Sequence, residues 1–145
     1  MDIIKLIKIV ALFMLGVALI YMPIAYLRLW RKNQKGKTWA ENRQAVKVYI
    51  KHDDIHDWLR IISVNGETPV TFTEGAAKQG FYLNAGQNTV VALCQWSQLN
   101  PFSPLGYNTH SAGSEELNLY AEAGKQYSFS YSHTTEKYEF EEMKR

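Results

Sequence analysis

The nineteen residues from Ile9 to Leu27, IVALFMLGVALIYMPIAYL, contain no charged side chain. At about 1.5 Å per residue they make a helix of roughly 28 Å, close to the ~30 Å hydrocarbon core of a bilayer. Ile3, Ile4, Leu6 and Ile7 extend the apolar character, and Lys5 and Lys8 can snorkel to headgroups. Pro23 lies near the end of the run, where a bilayer tolerates a kink. Tyr21, Tyr26 and Trp30 suit an interfacial belt. A cleaved signal peptide would have a shorter apolar region and a small-residue cleavage site. This run ends instead in Tyr-Leu-Arg-Leu-Trp-Arg, and the only cysteine, Cys94, is far downstream. Residues 1–30 therefore read as a retained single-pass transmembrane helix.

Arg28, Arg31, Lys32, Lys35 and Lys37 come directly after the run, with no acid before Glu41. An excess of Lys and Arg beside a span favours the cytoplasmic side for the C-terminal domain. On a continuing helix Arg28, Arg31, Lys32 and Lys35 share one face, suited to anionic lipid headgroups or simply to fixing topology. Gly36 is the expected helix end. Residues 31–44 thus form a basic connector, with Trp39 expected to pack on the domain at residues 45–145. That length is one domain's worth. A net charge of +2, with the basic excess beside the membrane, gives no field for nucleic acid. One cysteine excludes an intramolecular disulfide.

From Ala45 the hydrophobic period changes to two. Val46, Val48 and Ile50 share a face, and Trp58 to Val64 is rich in strand formers before the Asn65-Gly66 hairpin signal. Val70 and Phe72, then Phe81 and Leu83, alternate with polar or small neighbours. Thr89 to Trp96 is apolar on both faces, as a central strand is. Leu117 to Ala121, Tyr127 to Tyr131, and Tyr138 with Phe140 complete the series. The last carries Lys137, Glu139 and Glu141 on its polar side, like a protected edge. The expectation is an all-β fold: a single antiparallel β-sandwich of seven to eight strands behind one transmembrane helix.

Three short stretches carry a family resemblance: Val64-Asn65-Gly66, Gly80-Phe81-Tyr82-Leu83-Asn84-Ala85-Gly86-Gln87-Asn88-Thr89-Val90, and Ala123-Gly124-Lys125-Gln126-Tyr127-Ser128-Phe129. Across residues 58–132 the chain resembles small bacterial envelope β-sandwiches of the PEGA-like or carbohydrate-binding-like type. The resemblance implies an exported, non-catalytic domain and hence the periplasmic side, opposite to the charge rule. The side of the membrane stays open.

His52-Asp53-Asp54-Ile55-His56-Asp57 is the densest group of metal-ligand types. A metal site would use His52, His56 and Asp57, but the stretch connects two strands and reads first as a polar turn. His110, Ser111 and His133 lack any accompanying nucleophile motif or phosphate loop, so an enzyme is not expected. Cys94 reads as a buried small hydrophobe. No cofactor is implied.

Gln98 to Ser114, QLNPFSPLGYNTHSAGS, is longer than most strand connections and reads as a loop. Pro101 and Pro104 stiffen it, while Phe102, Leu105 and Tyr107, with Trp96 just before, form a candidate partner-binding surface. The plain alternative is a loop folded back over one end of the sandwich. The reading is a single-pass inner-membrane protein, contacting the bilayer and an unidentified protein, as an accessory or assembly subunit of an envelope complex or an immunity-type inhibitor. An envelope glycan module stacking sugar on Trp96, Tyr107 and Tyr127 is the alternative, and a metal-dependent enzyme is a third.

Overall fold

The computed structural model describes residues 2–53 and 57–144. It divides into two compact units, residues 1–35 and 36–145. The first is the greater part of helix α1 (Ile3–Arg43), whose apolar stretch is long enough to cross a membrane and is wholly unburied. A signal sequence meets the same test of length and composition. Pro23 lies within the helix. Arg28, Arg31, Lys32 and Lys35 are all carried on it, so their spacing gives them a common face.

The second unit holds eight strands in two sheets. They are β1 (Val46–Ile50), β2 (Asp57–Val64), β3 (Thr71–Glu74), β4 (Lys78–Leu83), β5 (Gly86–Leu99), β6 (Tyr107–Ala121), β7 (Gln126–Ser132) and β8 (Lys137–Glu142). The larger sheet runs β3-β4-β1-β7-β8 and the smaller β2-β5-β6. The both-faces-apolar strand is central in its sheet, and the charged last strand is an edge, as expected.

One core cluster draws on both sheets. Val46, Val48, Phe81, Leu83, Tyr127, Phe129 and Tyr131 come from the larger, and Leu59, Ile61, Val90, Ala92, Cys94 and Ala121 from the smaller. Phe81 meets Phe129 edge-on at 5.9 Å between ring centroids. Burying such a side chain is worth about 1.5–3 kcal/mol. Asn88 is the exception in this interior. Its side chain donates to the Asn84 and Gly86 carbonyls and accepts from the Asn84 amide and Asn65 Nδ2, so its burial is fully compensated.

Three expectations are corrected. First, Gly36 does not end α1. The helix continues to Arg43 and stops where Gln44 takes a left-handed φ of 51°. Gly36 is buried instead: a Cβ there would lie 3.4 Å from the Thr71 carbonyl oxygen and 3.5 Å from the Tyr82 ring. These are ordinary contact distances, so the helix passes through Gly36 because the turn around it packs on the sheet, and that packing outweighs glycine's poor helix propensity. Trp39 and Ala40 continue this contact onto Phe72, Tyr82, Tyr49 and Val70, so Tyr82 is buried on the face of β4 opposite Phe81 and Leu83.

Second, the larger sheet is not antiparallel throughout: β1 pairs with β7 in parallel. Alternation reports which face is buried and carries no information on a neighbour's direction. Third, the Asn65-Gly66 turn forms, with φ of 52° and 76°, but closes only the Val64–Glu67 bridge. The chain then changes sheet, and β3 pairs with β4.

On the outer face of the larger sheet, Lys47 Nζ donates to the Glu74 carboxylate and Tyr49 donates to its other oxygen at 3.0 Å. The hydrogen bond from Lys47 holds the Glu74 carboxyl below its ordinary value. Burial pulls the Lys47 ammonium down, and bonding to Glu74 more than reverses this, leaving it raised. A depressed carboxyl stabilises the fold above its unfolded pKa and loses that contribution as pH falls through the folded one. A raised ammonium loses its contribution as pH climbs through its own folded value. The side chains remain 35 and 41% exposed, so the pair is worth no more than about 1 kcal/mol. Glu74→Gln is expected to lower stability by about 0.5–1 kcal/mol near pH 7, with the difference from wild type starting to shrink near the ordinary glutamate pKa of about 4.3 and disappearing only once pH has fallen below the lowered folded value. Urea midpoints of both proteins across that range check this.

Gly80 gives a larger effect. A Cβ there would stand 2.2 Å from the Val48 carbonyl oxygen and 2.4 Å from Phe72 Cζ. Gly80→Ala is expected to cost about 3 kcal/mol, through forced separation of β1 and β4. Equilibrium denaturation of the full chain in detergent measures it.

Candidate functional site

The expected loop from Gln98 to Ser114 is a long hairpin. β5 and β6 pair from Gly86 opposite Ala121 to Leu99 opposite Tyr107, and only the tip, residues 100–106, is turn. The end of β6, Leu117 to Ala121, was read as a strand, but its first ten residues were invisible to periodicity because every residue from Tyr107 to Glu116 is exposed, so no face is marked by apolar side chains. Among the described residues β2 pairs only as far as Asp57 opposite Trp96. Beyond that point β5 and β6 continue, among the described residues, as a two-stranded ribbon.

The tip is a braced turn. Asn100 N–H donates to the Gly106 carbonyl at 3.0 Å, Ser103 N–H to the Asn100 carbonyl at 3.0 Å, and Gly106 N–H to the Ser103 carbonyl at 2.9 Å. The Asn100 side chain accepts from Phe102 N–H at 3.1 Å, and Ser103 Oγ donates to the Tyr107 carbonyl at 3.0 Å. Gly106, at a φ of 74°, closes the turn in a conformation that side chains resist. The frame holds Leu99, Phe102, Leu105 and Tyr107 at 85, 95, 73 and 45% exposure. The tip is therefore not a cover folded over a sheet.

Trp96 is not part of that surface. It roots the ribbon, half-buried, stacked on His110 at 5.8 Å and on Tyr131 at 6.0 Å, with the His133 ring edge-on at 4.8 Å. His133 is held by two carboxylates: its Nε2 lies 2.7 Å from Asp57 Oδ1, and its amide donates to Asp53 Oδ2 at 3.2 Å. The Asp57 side chain is 3% exposed, so this imidazole shields a buried acid. Nearby a bulge breaks the β5–β6 register between Leu93 and Gln95, with Gly113 at a φ of 77°. The Tyr138 hydroxyl reaches it from the other sheet, accepting from Cys94 N–H at 2.9 Å and facing the Ala92 and Gly113 carbonyls at 3.4 and 3.5 Å. Burial pushes the Tyr138 phenol up to about 12, and burial with Asp57 nearby pushes the Cys94 thiol up to about 11. Both are neutral structural groups at physiological pH.

Two of the three expected metal ligands are described. Asp57 is bonded to His133, and His52 is exposed beside a shallow polar groove with Lys51, Asp53, Ser130, Ser132 and Glu139. His56 lies outside the described residues. Among the described residues no group of three His, Cys, Asp or Glu side chains converges on a metal position. The glycan platform is likewise dispersed: Tyr127 is in the core, stacked on Phe140 at 4.6 Å, while Trp96 is at the ribbon's root and Tyr107 at its tip. Sequence reasoning missed the root cluster, since Asp57, Trp96 and His133 are joined only by strand pairing and by contact between sheets.

Comparison with protein-family models, with curated proteins and with solved structures finds no match.

His133→Ala removes a partner from a buried carboxylate and an edge from Trp96, and is expected to cost about 2 kcal/mol. Urea denaturation checks it. The same measurement with a chelator should leave the wild-type midpoint unmoved, whereas a chelator-sensitive midpoint would assign a metal to this acid cluster.

Proposed function

We propose that this is a single-pass membrane protein whose strand domain is a β-sandwich acting as a non-catalytic binding module for a protein partner. The observation that carries the reading is β6: fifteen residues at the edge of its sheet, ten of them in succession exposed. An edge strand presents backbone donors and acceptors that another extended chain can complete. Natural edges are blunted by charge, yet no Asp, Glu, Lys or Arg occurs between Lys78 and Glu115. Glu115 and Glu116 guard only the part beyond the bulge. The partner chemistry that fits Tyr107 to Ser114 is an extended, uncharged segment adding a strand. A membrane tether raises the effective concentration of such a modest interface. An accessory subunit of a membrane complex and a membrane-held inhibitor both work this way, and the lysine- and arginine-bearing face of α1 supports headgroup contact beside the span.

A photoreactive amino acid at Thr109 of the full chain in its native membrane should join one discrete protein species, and the same probe at the Ala85 turn, which is exposed, should not. Along an edge strand successive amides alternate between inward and outward. Of Asn108→Pro and Thr109→Pro, the one that spares folding should weaken capture about tenfold, the equivalent of 1.4 kcal/mol. Equal crosslinking from Ala85, or capture untouched by both prolines, would overturn strand addition. A mature chain beginning after Leu27 would overturn the tether.

A further inference from the structure

The tip of the hairpin differs in chemistry from its edge. Leu99, Phe102 and Leu105 are more exposed than almost any apolar side chain of the strand domain, and the turn that carries them is rigid. An apolar group held in water by a stiff frame suits an apolar surface. Two features identify the chemistry of that surface.

The first is the turn's hydrogen bonding. Pro101 and Pro104 have no N–H to give. The amides of Asn100, Phe102, Ser103 and Gly106 are each bonded within the turn, as is the Ser103 hydroxyl. The Leu105 amide is the remaining backbone donor of the turn. Donors that already have partners lose nothing on leaving water, which is the condition for entering lipid. A loop built for a protein groove keeps some donors pointing outward to read its partner. The second feature is charge. No formally charged side chain lies within the ribbon or its tip, so no ionised group would have to accompany Phe102 out of water. Tyr107, half-exposed at the neck of the turn, has the amphipathic ring that settles at headgroup level.

We propose that the 99–107 tip enters a lipid bilayer to the boundary between headgroups and acyl chains, with Leu99, Phe102 and Leu105 as the inserted groups. The contact is hydrophobic, not electrostatic, and so tolerates salt and neutral lipid. It is independent of strand addition along β6: either stands if the other fails.

The test uses the full chain reconstituted in phosphatidylcholine vesicles. Phe102→Cys and, separately, Leu105→Cys are labelled with an environment-sensitive fluorophore. The native Cys94 is buried with a raised pKa and reacts slowly. Both labels should emit to the blue of the same label at Ala85→Cys, should be quenched by nitroxide-bearing lipids, and should be unchanged by high salt. Serine at both Leu99 and Leu105 should return the label at 102 to its aqueous emission. Water-like emission at both sites would overturn the proposal. A blue shift that nitroxide lipids fail to quench would also overturn it, assigning the tip to a protein or to a second copy of this chain.

Discussion

A phenol crossing the core ties the two sheets together at their most irregular point. Tyr138 stands on the edge strand of the larger sheet, and its hydroxyl ends beside the bulge where β5 and β6 lose register. That bulge frees backbone groups in the interior, and an unpaired buried amide costs about 1–3 kcal/mol. One side chain removes the problem and fixes the spacing of the sheets at that height. Around it, Tyr138 faces Phe129 and Tyr131, and Tyr131 carries Trp96. The root of the exposed hairpin is thus wired to the core through a continuous run of rings.

Where one face of a strand is buried, its sequence showed it. Val46 with Val48, Phe81 with Leu83, and Tyr127, Phe129 and Tyr131 are buried in the alternation read from the chain. β5 announced its central place by being apolar on both sides. The same logic explains the failures. β6 has no buried face over its first ten residues, so it left no period to detect, and prolines and glycines nearby suggested a loop. Gly36 looked like a helix end because glycine propensity is a local quantity, while the packing of Trp39 and Ala40 on Phe72 and Tyr82, which carries the helix past it, is not. Parallel pairing of β1 with β7 and the Asp57–His133–Trp96 cluster depend on topology, which side-chain patterning does not encode.

Of the candidate site, Phe102, Leu105 and Tyr107 were legible as a set, but their exposure was not, because the same prolines and apolar residues suit a loop folded back over the sandwich. Trp96 was misplaced by its sequence neighbours. Three residues before Leu99 along a strand is about 10 Å, enough to separate a root from a tip. The histidine-rich connection drew attention for its ligand types, yet its described acids both serve His133, beyond the end of β7: Asp57 faces the imidazole and Asp53 accepts from the backbone amide.

The hairpin divides its labour along its length. At the root, Trp96 is held on three sides by rings, and the bulge above β2 is closed by Tyr138. At the tip, five hydrogen bonds hold a turn whose apolar side chains stand in solvent, so they add nothing to folding stability. A stiff support matters only if what it supports must meet something else in a defined pose, because ordering a loop in advance removes that entropy cost from binding. Leu99 and Phe102 in water are a standing penalty in free energy and in solubility. An apolar contact from outside the strand domain would relieve the penalty, and the insertion proposed for the tip is a contact of that kind.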